Sequence, residues 1–566
     1  MRRISCFLAC VAAVTALPAA ASAKPTDVDV QLLAINDFHG NLEPPTGSSG
    51  TIAGTTAGGA AYLASHIRAL RATNPNSVVV SAGDLIGASP LLSAAFHDEP
   101  TVEAMNKIGL DLNAVGNHEF DEGEAELMRM QEGGCHPTDT AGTCKGEGDH
   151  FGGAEFPFLA ANVVRRDDGS TLFPAYTIKE FGKIKVAFIG MTLEGTPDIV
   201  SPSGISNLRF LDEAATANRY ARELREEHGV KAIVVVLHEG GIPTPAGGIN
   251  DCNVSGPIVD IVNRTTDAVD LFITGHTHQP YNCVIDGRPV TSASSFGRLV
   301  TDIDFTLDRN TKDIKNLTAD NEIVTRTVAP WSDIQTLITH YTSLIAPIRD
   351  RVIGRSTAVI SRNTSPDSGD ESPAGNLIAD AQLAASDDAG NGQAVAAFMN
   401  IGGVRADFPA GNVTYGAAFN VQPFGNNLTT ITLTGAQLHT MLKQQWCGLP
   451  SRRVLQPSNT VRYTYDPAKA IVGPPPGGTP CASAPDDVIT SFTINGQPVL
   501  NDGSQSYRIT VNSFLADGGD GFGVLPLGTN RIGGEVDTKA LEDYIAPSLT
   551  GTPIAPPATD RISRLP

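Results

Sequence analysis

After its first 20 residues, the 566-residue sequence contains no apolar run approaching the ~18 residues that a membrane-spanning helix requires. It is also short of positive charge, with 40 lysines and arginines against 61 aspartates and glutamates and a formal net charge of −21. Such an excess of negative charge disfavours binding to nucleic-acid polymers and to anionic membranes. We therefore expect no membrane span and no nucleic-acid polymer as a partner. The oligomeric state stays open.

The N-terminus has the pattern of a secretory signal peptide. Arg2 and Arg3 precede a largely apolar stretch over residues 4–20, and Ala21-Ser22-Ala23 fits a signal-peptidase site. We expect a signal peptide over residues 1–23 and a mature chain that begins at Lys24. The protein is therefore expected to be secreted, or to reside in the periplasm or cell envelope.

Cysteine is scarce, and no C-x-x-C pair is present among the eight cysteines. This absence argues against the alternative of a cysteine-based structural zinc site. Loss of the signal peptide removes Cys6 and Cys10, and an oxidising compartment would allow the others to form disulfides. Among the possible connectivities, we expect that near neighbours in the sequence are joined, as Cys135–Cys144, Cys252–Cys283 and Cys447–Cys481.

From residue 28 to about 310, short apolar runs alternate with helical patterns. Several runs lack polar alternation, which is typical of strands that are buried on both faces. The predicted strands cover residues 28–35, 77–81, 112–115, 184–189, 232–237 and 268–274. Predicted helices between them include residues 60–71, 100–107 and 212–228. The pattern predicts an α/β domain with helices packed on a central sheet.

A single amphipathic helix is expected over residues 331–350, where apolar residues recur at helical spacing. We interpret it as the connector between two domains. The second unit is richer in Gly, Pro, Thr and Asn, and its predicted strands include residues 428–433, 461–465 and 507–511. The expected division is therefore 24–330, a linker helix at 331–351, and 352–566.

Five short segments place metal-binding side chains just after apolar strands. They are Asp37-Phe38-His39, Gly83-Asp84, Gly116-Asn117-His118-Glu119, Leu237-His238 and Gly275-His276-Thr277-His278. Ligands of open α/β sheets bind where loops leave the carboxyl ends of strands, and each segment occupies such a position. Taken singly, a capping Asp-x-His pair or a satisfied core histidine is the more ordinary explanation. The five segments together favour a metal centre.

The candidate ligands suit a pair of divalent ions. Carboxylate, amide and imidazole groups form the mixed oxygen and nitrogen set that Zn²⁺, Mn²⁺ or Co²⁺ accepts. Asp84 has two carboxylate oxygens and can bridge two ions about 3.5–4 Å apart. The other candidate ligands are Asp37, His39, Asn117, His238, His276 and His278. Such a pair activates a water and neutralises charge on a phosphoryl oxygen, so phosphoester hydrolysis is its natural use.

A catalytic dyad is expected beside the ligands. His118 follows Asn117 and can donate a proton to a phosphoryl oxygen or a leaving group, while Asp121 orients and charges its ring. The remaining histidines lack such a context, and we expect them to be surface or packing residues. They are His66, His97, His136, His150, His228 and His340.

The order D-x-H, G-D, G-N-H-E, H, G-H-x-H resembles that of the calcineurin-like metallophosphoesterases. Residues 35–42, with the sequence INDFHGNL, are similar to the secreted 5′-nucleotidase and UDP-sugar hydrolase branch of that family. The resemblance implies an N-terminal four-layer α/β/β/α metallophosphoesterase domain and a C-terminal α+β nucleotide-binding domain, joined by a hinged helix. The final ligand position is His278, where relatives use Gln, Asn or His, so the metal preference is open.

The second domain carries further motifs of the same branch. The segment NIGGVR at residues 400–405 is similar to the family pattern N-x-G-G-x-R, which implies that Arg405 binds substrate phosphate and that Asn400 lies near the nucleoside. Phe424 and Phe514 resemble the two aromatic residues that enclose the base in the family. Asp520 resembles the family's acidic residue near the ribose hydroxyls. Ordinary core packing is the alternative role for these aromatics, although flat apolar faces suit a base.

The chain departs from the family where relatives often carry another phosphate-binding arginine. Asp370-Glu371-Ser372 stands there instead, ahead of Gly375-Asn376-Leu377. The prediction is a secreted two-metal hydrolase of nucleoside 5′-monophosphates, with a small nucleotide as its substrate. The alternatives are a diphosphatase of UDP-sugars or NAD, a 2′,3′-cyclic-nucleotide phosphodiesterase, and an inactive secreted protein that binds nucleotides or serves in adhesion.

Overall fold

The computed structural model describes residues 27–200, 202–243, 248–364, 370–446, 453–470 and 488–565. The expected signal peptide and the expected Cys447–Cys481 disulfide lie outside these residues. Within the described ranges, no helix combines the length and the apolar character needed to cross a membrane. The structure contains the other two expected disulfides, Cys135–Cys144 and Cys252–Cys283.

Two six-stranded sheets form the centre of the N-terminal region. In spatial order, the first sheet contains Ile314–Ile323, Leu299–Leu307, Val28–Ile35, Ser77–Ser81, Leu112–Ala114 and Phe158–Leu159. The second contains Pro280–Ile285, Arg288–Ala293, Leu271–Thr274, Ala232–His238, Ile184–Thr192 and Tyr176–Phe181. Four neighbouring strands of each sheet are parallel, and antiparallel strands complete the sheets.

The two sheets pack face to face, with helices on their outer faces. Alternate residues of the strand Val28–Ile35 serve different layers, because Val30 and Leu32 lie between the sheets while Leu33 and Ile35 face outward. Helices Ala60–Arg71, Glu99–Ile108 and Gly123–Glu132 cover the first sheet, and helices Glu213–Glu227 and Pro257–Arg264 cover the second. The predicted four-layer α/β/β/α arrangement is therefore confirmed.

Most predicted elements match the observed ones within two residues, but two strands differ more. The strand predicted over residues 268–274 begins only at Leu271, because Val269 N–H closes a turn onto the carbonyl of Thr266. The strand that begins at Ile184 continues to Thr192, where the prediction ended at residue 189. Both strands nonetheless end beside the predicted ligands, so the position of the site is unaffected.

The C-terminal region is built on two further sheets. Its five-stranded sheet contains Leu455–Pro457, Ala396–Asn400, Ser506–Asn512, Asn427–Thr434 and Thr529–Val536 in spatial order. The four-stranded sheet contains Gln497–Pro498, Ile489–Ile494, Val461–Tyr465 and Ile562–Arg564. The helices of this region are Pro373–Ala384, Tyr415–Val421, Gly435–Gln444, Ser513–Ala516 and Asp537–Ile545. Mixed strand directions and segregated helices fit the predicted α+β class.

Several short elements connect these layers. Two-stranded pairs are formed by Thr51–Ile52 with Thr55–Thr56, Val163–Arg165 with Leu208–Phe210, Ile242–Pro243 with Val254–Ser255, and Val352–Ser356 with Gly411–Thr414. The short helices are Gly47–Gly50, Leu91–Ala94, His118–Phe120, Thr196–Asp198, Pro202–Ile205, Ile401–Gly403, Gly519–Gly521, Leu525–Leu527 and Ala546–Leu549. Those at His118 and at Gly519 carry predicted site residues.

The expected connecting helix runs over Ser332–Arg349. Its apolar stripe, which includes Ile334, Leu337 and Tyr341, is buried in the same core as the outer helices of the first sheet. Tyr415 and Phe419 of the C-terminal region also pack against this core. The helix is therefore anchored on the N-terminal side and contacts both regions. The exact domain bounds stay a prediction.

Candidate metal centre and adjoining cavity

The seven predicted ligands converge where strands of both sheets end. The ligand atoms of Asp37, His39, Asp84 and His278 all lie within 4.8 Å of one another, and so do those of Asp84, His238 and His276. Asn117 Oδ1 lies 3.0 Å from His276 Nδ1 and completes the second group. Asp84 belongs to both groups, which is the position that a bridging carboxylate would occupy. The assignment of these residues as ligands stays a prediction.

The backbone around the cluster is strained. Asp37, His39, Asp84, His276 and His278 all have positive φ angles, between 47° and 71°. Such left-handed conformations cost non-glycine residues about 1–3 kcal/mol each and persist at functional sites where the surroundings impose them. These backbone conformations direct five side chains from three loops into the cluster.

Two glycines are required by this close packing. Gly83 has a φ of +85°, and a Cβ there would lie 2.6 Å from Nδ1 of His238. A Cβ at Gly116 would overlap Oδ1 of Asp84. Any side chain at either position would therefore push the ligand-bearing loops apart.

Hydrogen bonds to backbone carbonyl oxygens orient two deeply buried histidines. Nδ1 of His39 lies 2.9 Å from the carbonyl oxygen of Gly87, and Nδ1 of His238 lies 2.7 Å from that of Ala82. Because these carbonyls can only accept, each ring donates an Nδ1 proton to its carbonyl and turns Nε2 into the cluster. Burial lowers the pKa of His39 well below its usual value, and that of His276 to about 3, so the rings of His39 and His276 are neutral. For His238, burial is outweighed by the Asp84 carboxylate, which raises the pKa of the ring to about 10.

Two contacts show that the residues fit a pair of cations. Nε2 of His39 faces Nε2 of His278 at 3.1 Å, and the two nitrogens lie 4.0 and 3.2 Å from Oδ1 of Asp37, so the three atoms converge on one small space. Nε2 of His238 is buried without a hydrogen-bond partner among the described residues, even though Asp84 Oδ2 lies 3.0 Å away. Divalent ions would satisfy both groups of nitrogen and carboxylate donors.

Glu119 has a role that the sequence prediction missed. Its buried carboxylate accepts hydrogen bonds from the backbone N–H groups of Asp84, Leu85 and Gly116, at 3.0, 2.8 and 2.5 Å. It thereby ties the loop that carries Asp84 to the loop that carries Asn117. Its place in the G-N-H-E segment indicates that it lies at the site. The sequence alone does not distinguish a buried acid that binds backbone N–H groups from one that binds a metal ion.

The structure brings the two residues of the predicted dyad together, and their catalytic role stays a prediction. His118 Nδ1 lies 2.9 Å from Oδ2 of Asp121, which leaves Nε2 to face a substrate. Burial opposes protonation of the His118 ring, but the Asp121 and Asp84 carboxylates outweigh it and raise its pKa. The ring is therefore poised to carry a proton.

A cavity of about 350 Å³ adjoins the cluster and is lined by both regions of the chain. From the C-terminal region, it is lined by all five predicted substrate residues, Asn400, Arg405, Phe424, Phe514 and Asp520. The Phe424 ring stacks on the His118 ring at a centroid distance of 5.7 Å, so the aromatic group meets the dyad directly. The guanidinium of Arg405 lies 5.9 Å from the centroid of the Phe424 ring and forms no ion pair among the described residues.

The expectation that His97 and His136 are ordinary surface or packing residues misses a polar cluster at the cavity rim. Nδ1 of His97 lies 2.7 Å from Glu122, its Nε2 lies 3.2 Å from Asp139, and its ring stacks on His136 at 4.3 Å. Both carboxylates raise the pKa of His97 to about 9, with the hydrogen bond to Glu122 as the largest cause. Because the parts of this cluster come from separate loops, no local motif reveals it.

Comparisons with known proteins agree with this arrangement. The calcineurin-like phosphoesterase family matches residues 30–280, and the 5′-nucleotidase C-terminal domain family matches residues 352–526. Endonuclease YhcR of Bacillus subtilis is 32% identical over 93% of this chain, but the chain spans only 40% of its length. Cell wall protein Lmo0130 of Listeria monocytogenes is also 32% identical over 93% of the chain, which covers 68% of that protein.

A solved structure supports the same assignment over the whole fold. The 5′-nucleotidase precursor from Thermus thermophilus superimposes with a TM-score of 0.74 and 26% identity, covering 95% of this chain and 99% of its own. Together with the cluster of Asp and His residues, these matches identify a hydrolase of the metallophosphoesterase type. The chain therefore belongs to the 5′-nucleotidase family, with a calcineurin-like metallophosphoesterase domain followed by a 5′-nucleotidase C-terminal domain.

Proposed function

We propose that the protein is an exported two-metal phosphohydrolase that releases phosphate from nucleoside 5′-monophosphates. One observation carries this proposal: a single cavity is lined by Asn117 and His276 of the metal cluster, by two aromatic rings and by a polar Asn400–Asp520 pair. These three features suit the three parts of a nucleotide, namely its phosphate, its base and its ribose. The relative named as a cell wall protein and the two disulfides support export.

Asp37, His39, Asp84 and His278 would hold one divalent ion, and Asp84, Asn117, His238 and His276 the other. When bound, such a pair lowers the pKa of a water and neutralises charge on the phosphoryl group. Zn²⁺, Mn²⁺ and Co²⁺ suit the donor set.

The chain's own residues supply the remaining chemistry. Arg405 has no carboxylate partner among the described residues, and it can hold two phosphate oxygens with its guanidinium. His118, charged by Asp121, would donate its Nε2 proton to the leaving ribose oxygen. Phe424 and Phe514 would hold the base by its faces, so the scissile bond is fixed between the dyad and the cluster.

A phosphate-release panel tests the substrate class and the metal requirement together. We expect release from AMP and UMP, and little from cyclic AMP, UDP-glucose or NAD. Chelation should abolish release, and added Mn²⁺, Zn²⁺ or Co²⁺ should restore it. Faster turnover of UDP-glucose or NAD would identify a diphosphatase, and preference for cyclic nucleotides would identify a phosphodiesterase. Activity that survives exhaustive chelation would contradict the proposal.

Phe514→Ala should raise KM for AMP by about 10-fold or more with a smaller effect on kcat, because stacking of one base on an aromatic ring is worth about 1–3 kcal/mol. Hydrolysis of p-nitrophenyl phosphate, which has no base, should change little. Steady-state kinetics on both substrates provide the measurement. An equal loss on both would show that Phe514 supports the fold and does not bind the base.

A further inference from the structure

The cavity contains a second guanidinium that the proposed reaction does not use. Arg405 lies beside Phe424, toward the metal cluster, whereas Arg453 lies beside Asp520. Arg453 donates from one terminal nitrogen to Oδ1 of Asp520 at 3.2 Å, and Asn400 donates to the other carboxylate oxygen at 3.0 Å. Across the described parts of the chain, the guanidinium of Arg453 forms no other hydrogen bond, so its remaining N–H donors have no protein partner there.

The immediate surroundings of Arg453 permit an anion next to it. Its side chain is 22% exposed and that of Asp520 is 14% exposed, so the pair is largely withdrawn from water but open to the cavity. Asp517 also lines the cavity, but its carboxylate is paired with Arg531 at 2.6 Å. The pair of Arg453 and Asp520 is neutral overall, which removes the repulsion that Asp520 alone would exert on a negative group.

The position of this pair along the cavity suggests which anion it would meet. A nucleotide with its 5′-phosphate at Arg405 and its base at Phe424 and Phe514 places its ribose between them, against Asn400 and Asp520. The Asp520 carboxylate can accept a hydrogen bond from a ribose hydroxyl. Arg453 pairs with the same carboxylate, so its remaining donors lie next to the group that would hold the ribose.

We propose that Arg453 forms an anion-binding subsite for a phosphate on the 3′ oxygen, so that the cavity accepts nucleotides phosphorylated at both the 5′ and the 3′ positions. This inference rests on the proposed function, since it takes the orientation of the nucleotide from it. A nucleoside 3′,5′-bisphosphate and the 5′ end of a short oligonucleotide both present this chemistry. The free donors of a charged guanidinium suit either phosphate.

The test compares phosphate release from AMP, adenosine 3′,5′-bisphosphate and a 5′-phosphorylated diadenylate by the wild type and Arg453→Gln. Chromatography resolves the products, so that loss of the 5′-phosphate is counted alone. We expect wild-type kcat/KM values for AMP and for the bisphosphate within about 10-fold of each other. Arg453→Gln should lower kcat/KM for the bisphosphate about 10-fold more than for AMP, and the difference should lie in KM. The reason is that the substitution removes a charge-assisted hydrogen bond to the 3′-phosphate.

Two further variants sharpen the result. Arg462→Gln removes an exposed arginine that pairs with Asp560 at 3.5 Å, and it should leave all three substrates unchanged. Asp520→Asn removes the opposing charge, so it should favour the bisphosphate relative to AMP. Equal loss on AMP and the bisphosphate in Arg453→Gln would overturn the subsite, because Arg453 would then only position Asp520. Wild-type discrimination of more than about 100-fold against the bisphosphate would overturn it as well.

The oligonucleotide arm separates the two sources of the phosphate. A loss on the diadenylate that matches the loss on the bisphosphate would assign the subsite to strand ends, and a loss confined to the bisphosphate would assign it to free nucleotides. Calorimetric titration with adenosine 3′-phosphate measures the subsite without 5′-phosphate turnover, and we expect Arg453→Gln to weaken this binding while adenosine binding is unchanged. If AMP is not hydrolysed at all, the proposed function fails, and this titration still decides on the subsite.

Discussion

Asp84→Asn should lower kcat for AMP by about 10³-fold or more, which corresponds to about 4 kcal/mol of lost transition-state stabilisation. Asp84 is the one side chain common to both groups of candidate ligands. Replacing its charged carboxylate by a neutral amide removes the shared negative charge that would hold two cations close together. Among the seven predicted ligands, no other substitution is expected to remove a group shared by both ions.

The substitution is well suited to separate metal binding from folding. Oδ1 of Asp84 accepts the backbone N–H of His118 at 2.9 Å, and the amide oxygen of Asn can accept the same bond. Asn also tolerates the positive φ of 48° better than most residues do. The fold should therefore persist, and the circular dichroism spectrum should match that of the wild type.

Metal content is the decisive measurement. Inductively coupled plasma mass spectrometry should find close to two divalent ions per wild-type chain and at most one per Asp84→Asn chain. Asp304→Asn, on an exposed strand position of the same domain, is the matched control and should retain both ions and full activity. If Asp84→Asn keeps two ions and turns over AMP like the wild type, the metal assignment is wrong.

The layered core of the N-terminal domain can be predicted from the sequence because each strand and helix has its own local pattern of apolar residues. Strands such as Ser77–Ser81 are continuous apolar runs, and parallel strands bring their carboxyl ends to one edge of a sheet. The candidate ligands follow those ends, so their convergence can be predicted without knowing the packing. The exact termini of strands depend on individual turns, as at Val269, and cannot be predicted in this way.

Contacts between loops or between domains cannot be predicted from local sequence patterns. The stacking of Phe424 on His118 joins residues of different domains, and the rim cluster at His97 joins three loops. The departure at Glu371 is explained only by the fold. Its carboxylate binds the side chain of Asn376 and the backbone N–H groups of Arg561 and Ile562, so this position fastens the C-terminal strand to the domain.

His118→Asn should lower kcat for AMP by about 10²–10⁴-fold while metal content and KM stay close to wild-type values. The ring is next to the cluster but directs Nδ1 to Asp121, so its loss removes a proton donor and leaves the ligands in place. Asp121→Asn should have a smaller effect in the same direction, because the ring remains and loses only the charge that orients it and favours its protonation.

The choice of leaving group reveals which atom His118 serves. The p-nitrophenolate leaves without needing a proton, whereas a ribose alkoxide needs one, so a proton donor to the leaving group should matter far more for AMP. We therefore expect the fold loss in kcat that His118→Asn causes to be at least about 10 times smaller for p-nitrophenyl phosphate than for AMP. Equal losses on the two substrates would mean that His118 stabilises charge on the phosphoryl oxygens instead. Loss of bound metal in this variant would exclude both roles and make His118 a part of the metal site.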